Sequence, residues 1–207
     1  MHRNPMTPTM ILANAQTTPD HIHAAAVSVN WIEAAGTGED ANKLPAFDML
    51  LYTGGLLNLN GMTLPMVVDL VGVKPVAEKI TALRQHDPLR VVGHCDKIDI
   101  TATGIRVKGV ISGVGADAIE VKTTSKNGVP WQASMGARAV RREFVEAGRT
   151  VTVNGKDFTG PLYVSRETEL LEASFVIIGA DTSTSASVAA AAPQNKESTM
   201  DFEKWLQ

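Results

Sequence analysis

Short apolar segments separated by turn residues fill the chain between residues 21 and 153, a pattern that favours β-strands over long helices. Residues 47–52 stop at a Thr-Gly-Gly turn and predict a strand. Residues 66–70 contain adjacent valines and predict a buried strand. Residues 172–178 are mainly apolar and predict a last strand that enters the core.

Two further segments predict β-hairpins. Apolar and polar residues alternate through residues 97–100 and again through 105–110, on either side of a Thr-Ala-Thr-Gly turn, so one face of this hairpin should be buried. Residues 150–153 also alternate and run into Asn154-Gly155, a dipeptide that favours tight turns.

Helical patterns are few. Residues 75–84 give the clearest one, because Pro75 suits a first turn and Val76, Ile80 and Leu83 would share one helical face. Residues 116–126 predict a second helix.

The two ends differ in character from the middle of the chain. Residues 1–20 are rich in Pro, Thr and Asn and predict a loose arm ahead of a domain spanning residues 21–181. Residues 182–199 are dominated by Ser, Thr and Ala and predict a flexible linker. Residues 200–207 resemble the start of an amphipathic helix.

Composition narrows the class of protein. A chain of 207 residues has room for one domain plus tails, and a net charge of −3 gives no electrostatic reason to expect a nucleic-acid partner. Its single cysteine, Cys95, cannot form an internal disulfide, which suits a reducing cytosol. No apolar run approaches the roughly 20 residues that span a bilayer. We therefore expect a cytoplasmic protein with no membrane partner.

His86 and Ser134 form the first candidate for chemistry. A serine hydroxyl becomes an effective nucleophile when an imidazole accepts its proton, and the attacked carbonyl needs nearby N–H donors. Gly136 would let the backbone approach a substrate closely, so the amides of Met135 and Gly136 are candidates for an oxyanion hole. From spacing alone, a turn-capping histidine and an ordinary strand serine remain the more common explanation.

Two other constellations are weaker. His21, His23, His94 and Cys95 could supply metal ligands, but adjacent strand residues face opposite ways and no metal-binding spacing accompanies them. The Gly54-Gly55 and Gly113-x-Gly115 turns do not lead into a helix with the Lys-Ser or Lys-Thr of a phosphate loop. We therefore expect neither a metal nor a cofactor.

The chain resembles the prohead protease family of tailed phages over roughly residues 47–181. The resemblance rests on the order of five loose motifs: Leu-x-x-His86-Asp87, residues 91–93, Gly104-Ile105-x-Val107-x-Gly109, Ser134-Met135-Gly136 after an aromatic residue, and the strand at residues 171–176.

This resemblance implies a mixed α+β fold, mainly antiparallel β, with a β-barrel-like domain flanked by a few short helices, as in herpesvirus assemblins. It implies a serine endopeptidase in which Ser134 attacks and His86 is the base. The substrates would be the scaffold protein, the extension of the major capsid protein and the protease itself. The protein would act inside the immature procapsid in the host cytoplasm, and homo-oligomerisation stays open. Residues 200–207 would be the junction to a scaffold segment.

Glu172 is the expected third catalytic member. Glu172 opens the last predicted strand and matches the acidic position of the family, and burying it beside apolar residues would require a partner such as an imidazolium. Glu169 and Asp181 are its rivals, whereas Asp87 is expected to cap a turn.

Two other functions remain open. A non-catalytic capsid-assembly protein could keep the same fold, although it would have no reason to retain both His86 and Ser134. An unrelated Ser-His-Asp hydrolase is less favoured, because the Gly-x-Ser-x-Gly elbow and the regular strand–helix alternation of that fold are absent from the sequence.

Overall fold

The computed structural model describes residues 21–26, 44–59, 61–177 and 186–188. These residues form thirteen strands, one α-helix and a short 3₁₀ turn. The elements are β1 (His21–Ala26), β2 (Ala46–Tyr52), β3 (Leu56–Leu57), β4 (Met66–Val68), the 3₁₀ turn (Leu70–Gly72), β5 (Val73–Pro75), β6 (Ile80–Arg84), β7 (Asp87–Thr101), β8 (Gly104–Val110), α1 (Ala116–Lys126), β9 (Gln132–Val145), β10 (Thr150–Val153), β11 (Lys156–Thr159), β12 (Leu162–Val176) and β13 (Ala186–Val188).

Eleven strands join in one sheet, which curls into a half-barrel. Eight of them follow the order β1-β9-β12-β6-β7-β8-β2-β13, and β3, β4 and β5 lie off this path. The two long strands β9 and β12 are antiparallel neighbours. The other edge of β12 pairs in succession with the parallel strands β4, β5 and β6. Strands β10 and β11 form a separate hairpin. Strand β12 is therefore fixed along both edges, which makes it a rigid base for a site.

The expected mixed α+β class with several helices is wrong. Strands account for 61% of the described residues, and α1 is the one α-helix among them. The curled sheet agrees in part with the expected β-barrel-like shape. With 11 residues, α1 is also too short and too polar to cross a bilayer.

The predicted helix at residues 75–84 does not form. Pro75 ends β5, and β6 then pairs with β12 on one side and β7 on the other. Ile80 and Ala82 are buried while Thr81 between them is exposed, so the burial follows a period of two. Pairing with two neighbouring strands overrides the helical spacing of the apolar residues.

The other local predictions hold more closely. The strands at residues 47–52 and 66–70, both hairpins and the helix at residues 116–126 are confirmed, although the second strand ends at Val68. The predicted strand at residues 172–178 is the end of the longer strand β12.

The core lies on one face of the curled sheet. Trp131, Phe175 and Phe47 meet edge to face there, with ring centroids 6.2 and 5.4 Å apart. Helix α1 adds Ala118 and Val121 to the same cluster. The opposite face of β9 and β12 is left available for polar side chains.

The predicted linker at residues 182–199 contains a strand. Within it, β13 pairs with β2, and Val188 lies opposite Phe47 with its side chain only 3% exposed. The rest of this segment, the predicted arm at residues 1–20 and the predicted helix start at residues 200–207 lie outside the described residues.

The burial of Val188 makes this part of the tail important for stability. We expect Val188→Asp to lower the free energy of unfolding by about 2 kcal/mol or more, since an unpaired carboxylate would enter the core. Urea denaturation measures the change. Val114→Asp is the matched control, because Val114 is 92% exposed. Equal stability of the two variants would show that β13 is not part of the folded core.

Candidate active site

His86 lies in a tight turn between two strands, not after a helix as the sequence pattern suggested. Gln85 and His86 connect β6 to β7, with backbone φ angles of 56° and 59°. Two successive left-handed residues are typical of a type I′ hairpin turn, which normally uses Asn and Gly. For other residues this conformation costs about 1–2 kcal/mol each, and such strain is concentrated at functional sites.

Backbone contacts hold this turn against β12. The N–H of Gln85 donates to the carbonyl of Phe175 at 3.0 Å. The N–H of His86 donates to the hydroxyl of Ser174 at 3.1 Å. The histidine is therefore fixed to the same strand that carries Glu172.

The pairing of β9 with β12 brings the remaining side chains together. Ser134 lies opposite Ser174, and Gly136 lies opposite Glu172. Met135 and Phe175, which alternate with these residues, are buried in the core cluster. Because side chains alternate between the faces of a sheet, the four paired residues share the face away from the core.

A β-bulge in β12 makes this arrangement possible. The register shifts between Leu170 and Glu172, which lie opposite Ala137 and Gly136. Leu170 is fully buried in the core, so strict alternation would turn Glu172 toward the core as well. The extra residue, Leu171, resets the alternation and directs Glu172 to the opposite face, a common use of bulges near active sites.

Ser134, His86 and Glu172 form a continuous hydrogen-bonded row. His86 Nε2 lies 2.7 Å from Ser134 Oγ, and His86 Nδ1 lies 2.7 Å from Glu172 Oε1. An ionised carboxylate can only accept, so Nδ1 carries the ring proton and Nε2 accepts from the serine hydroxyl. This is the arrangement that a serine nucleophile and its base require.

The three residues were each expected from the sequence, and the structure brings all of them together. The Glu172 carboxylate lies within the distance of about 3.2 Å at which a side chain can orient an imidazole. The rival Glu169 lies elsewhere and pairs with Arg138. Asp87, which was expected to cap a turn, accepts from the N–H of Leu89 at 2.9 Å. Asp181 lies outside the described residues.

Gly136 supplies the space for the Glu172 carboxylate. A Cβ atom on Gly136 would lie 1.9 Å from Glu172 Oε1 and 2.7 Å from its carboxyl carbon. Either the carboxylate or the strand would have to move. The glycine after Ser134 therefore has a role that the sequence did not suggest.

We expect Gly136→Ala to leave a folded protein in which Glu172 no longer reaches His86. The rate of Ser134 modification by a fluorophosphonate, read by intact mass, should fall about 100-fold or more, since a misplaced catalytic group loses this much. Gly55→Ala is the control, because a Cβ there would meet only the Thr53 hydroxyl, at 3.9 Å. An unchanged rate in Gly136→Ala would contradict this role.

The expected oxyanion hole from the Met135 and Gly136 amides does not fit the sheet. Strand β9 is paired with β12 on one side and with β1 on the other, at both residues. Consecutive N–H groups of a strand point to opposite edges, so these two amides cannot converge on one oxygen atom. Met135 and Gly136 therefore supply at most one of the donors between them.

Charged side chains attach α1 to the hairpin that carries His86. Arg84 binds Asp117 and Glu120, and Arg90 also binds Asp117. Hydrogen bonds from Arg90 and Arg84 lower the pKa of Asp117 below its ordinary value. These ion pairs lie at the two strand ends next to the turn and restrict its movement relative to α1.

Of the residues considered as metal ligands, His94 and Cys95 face opposite sides of β7. Cys95 is buried in the core, whereas His94 is half exposed and contacts the Ser112 hydroxyl at 2.8 Å. Among the residues that the structure describes, no three His, Cys, Asp or Glu side chains gather in a way that could hold a metal. His21 and His23 lie on β1.

The Cys95 thiol should be unreactive in the folded protein. Burial, with smaller effects from the charges of Glu172 and Asp96, raises its pKa to about 12. At pH 8 only about one thiol in 10⁴ would be ionised, and the thiolate is the reactive form. We expect no reaction with a disulfide reagent until urea unfolds the protein. Rapid reaction without urea would show that this part of the core opens readily.

No protein-family model matches the chain, and no curated protein matches it in sequence.

Proposed function

We propose that this protein is a serine endopeptidase of the prohead-maturation type. The observation that carries the proposal is the continuous row Ser134–His86–Glu172, with 2.7 Å contacts on both sides of the imidazole. Ser134 attacks the scissile carbonyl while His86 accepts its proton and returns it to the leaving amine. Glu172 holds the ring and stabilises its charged form.

The surroundings of the row support catalysis over a purely structural role. A turn in left-handed conformation, a bulge and a glycine without room for a side chain all serve to place these three groups. A row of hydrogen bonds with a purely structural role would not require these three features of the backbone. A non-catalytic assembly protein is therefore the weaker alternative.

The fold also argues against the α/β-hydrolase alternative. That fold alternates strands with helices around a mainly parallel sheet. Here β7, β8 and β2 follow one another as antiparallel neighbours, and the described residues contain a single α-helix. The order of motifs shared with prohead proteases, together with the curled sheet, leads us to favour that class. The proposed substrates remain the scaffold protein, the capsid-protein extension and the chain itself.

The nucleophile is enclosed in this structure. Ser134 is only 2% exposed, so a substrate carbonyl can reach its Oγ only after a neighbouring segment moves. A protease that acts inside a closed shell needs such a restraint before assembly. We therefore propose that the burial of Ser134 restrains the protease before the shell assembles.

Intact-mass analysis of the full chain tests the proposal. Wild-type protein and Ser134→Ala are expressed and incubated in parallel, alone and with a phage scaffold protein and a major capsid protein as candidate substrates. Fragments that appear with the wild type alone would support an endopeptidase and would locate its cleavage sites. Uncleaved chains in both samples, with both proteins folded, would favour the assembly function.

A further inference from the structure

Ser174 links the Glu172 carboxylate to the backbone of His86. Its hydroxyl donates to Glu172 Oε2 at 2.6 Å and accepts from the His86 N–H at 3.1 Å. Glu172 Oε1 in turn contacts His86 Nδ1. The four groups therefore close a ring of hydrogen bonds that runs from the backbone of His86, through Ser174 and Glu172, to the imidazole of the same residue.

The directions of these bonds follow from the chemistry of the groups. A backbone N–H can only donate, so the Ser174 oxygen is the acceptor in its contact with His86. The single hydroxyl proton of Ser174 is then directed to Glu172 Oε2. This leaves Oε1 to accept from Nδ1–H, and it leaves Nε2 as the basic nitrogen that faces Ser134.

The reverse arrangement would disable the site. If Nδ1 lacked its proton, Nε2 would carry it and would donate to Ser134 instead of accepting from it. The wrong tautomer is known to be costly in such triads, with losses of about 10⁴-fold. A group that fixes the carboxylate in place and in its accepting form therefore has a direct effect on the rate.

We propose that Ser174 is a positioning residue that holds Glu172 and the strained His86 turn in the orientation in which Nε2 can accept the proton of Ser134. This inference rests on the proposed function for its effect on rate, but its hydrogen bonds can be tested without activity. The Ser174 hydroxyl is bonded to His86 and Glu172, and Ser174 is fully buried. It acts through His86 and Glu172 and not on a substrate.

The chain offers a matched control on the same strand. Ser165 is also fully buried in β12 and also makes two contacts, with the Thr168 hydroxyl at 2.7 Å and the Glu167 carbonyl at 3.3 Å. Its removal should cost similar stability without touching the site. A difference between Ser174→Ala and Ser165→Ala therefore reports positioning and not general loss of packing.

The rate test uses a fluorophosphonate on the full chain. The Ser134 oxygen forms a bond to phosphorus, fluoride leaves, and the proton passes to His86. We expect Ser174→Ala to lower the maximal labelling rate by about 10- to 100-fold with little change in the concentration that gives half that rate. Ser165→Ala should stay within about threefold of the wild type. Equal maximal rates for the two variants would overturn the proposal.

The spectroscopic test uses the Ser134→Ala background, where no labelling or self-cleavage can occur. The low-field proton NMR resonance of His86 Nδ1–H should be present in Ser134→Ala and in Ser134→Ala/Ser165→Ala. It should be lost or shifted in Ser134→Ala/Ser174→Ala. If Ser174→Ala does not fold, Ser174→Cys gives the same test, because a thiol of similar size is a weak donor.

The labelling test and the NMR test separate the proposed catalytic function from the proposed role of Ser174. An absence of labelling in folded wild-type protein, together with uncleaved scaffold and capsid proteins after incubation with it, would count against the proposed function, and the NMR resonance would still decide the role of Ser174. An unshifted resonance after removal of the Ser174 hydroxyl would overturn the inference while leaving the proposed function in place.

Discussion

Ser134→Ala and His86→Ala should each abolish self-processing while the protein stays folded. Ser134 supplies the attacking oxygen and His86 Nε2, 2.7 Å away, accepts its proton. Loss of either group should lower the rate of peptide cleavage by about 10⁴-fold or more, and the double variant should be little worse than either single variant. Fragment formation over time, read by intact mass, measures the rates.

The reactivity of Cys95 is the control on folding for both variants. Cys95 should remain unreactive in both, because the core that encloses it is unchanged. Ser134→Ala should also take up no fluorophosphonate, whereas the wild type should gain one adduct at Ser134. Substantial cleavage by well-folded Ser134→Ala would refute the assignment of the nucleophile.

Glu172→Gln should produce the second-largest loss. The amide keeps the size of the side chain but removes the charge that stabilises the imidazolium, and its NH₂ group can donate to Nδ1 and impose the wrong tautomer. We expect the maximal labelling rate to fall by about 10³- to 10⁴-fold. The same fluorophosphonate reaction, followed by mass, measures it.

Glu169→Gln is the matched control for this substitution. Glu169 lies on the same strand and pairs with Arg138, so the change also removes a carboxylate from an ion pair. Glu169 does not contact His86, so the labelling rate of Glu169→Gln should stay within about threefold of the wild-type rate. If both variants lose the same activity, the effect is a general loss of charge on β12 and Glu172 has no special role.

The sequence was informative where local chemistry decides the outcome. Alternating residues and a turn dipeptide predict the β7–β8 and β10–β11 hairpins, since strand period and turn geometry are both local. Residues 116–126 predict α1 for the same reason. Residue chemistry, together with the resemblance to prohead proteases, singled out His86, Ser134 and Glu172 as candidates for one site.

The sequence misled where distant segments compete for the same residues. Residues 75–84 have helical spacing, but strands β12 and β7 were available to pair with residues 80–84 and to bury Ile80. The tail around Val188 is poor in bulky residues, yet it adds a strand to β2. The pairings of β6 with β12 and of β13 with β2 cannot be read locally, because those partner strands lie far away in sequence.

The sequence by itself thus determined the two hairpins, through local turn chemistry and alternation. It also supplied the residue types that a catalytic site of this kind needs. Only the tertiary structure decided that His86 occupies a left-handed turn, that a bulge at Leu171 directs Glu172 away from the core, and that Gly136 makes room for the carboxylate. Ser174 also became significant only there, because an ordinary strand serine has no local signal that distinguishes it. The physical reason is that each of these features depends on the register between β9, β12 and the β6–β7 turn. That register is set by long-range pairing and burial, and not by neighbouring residues.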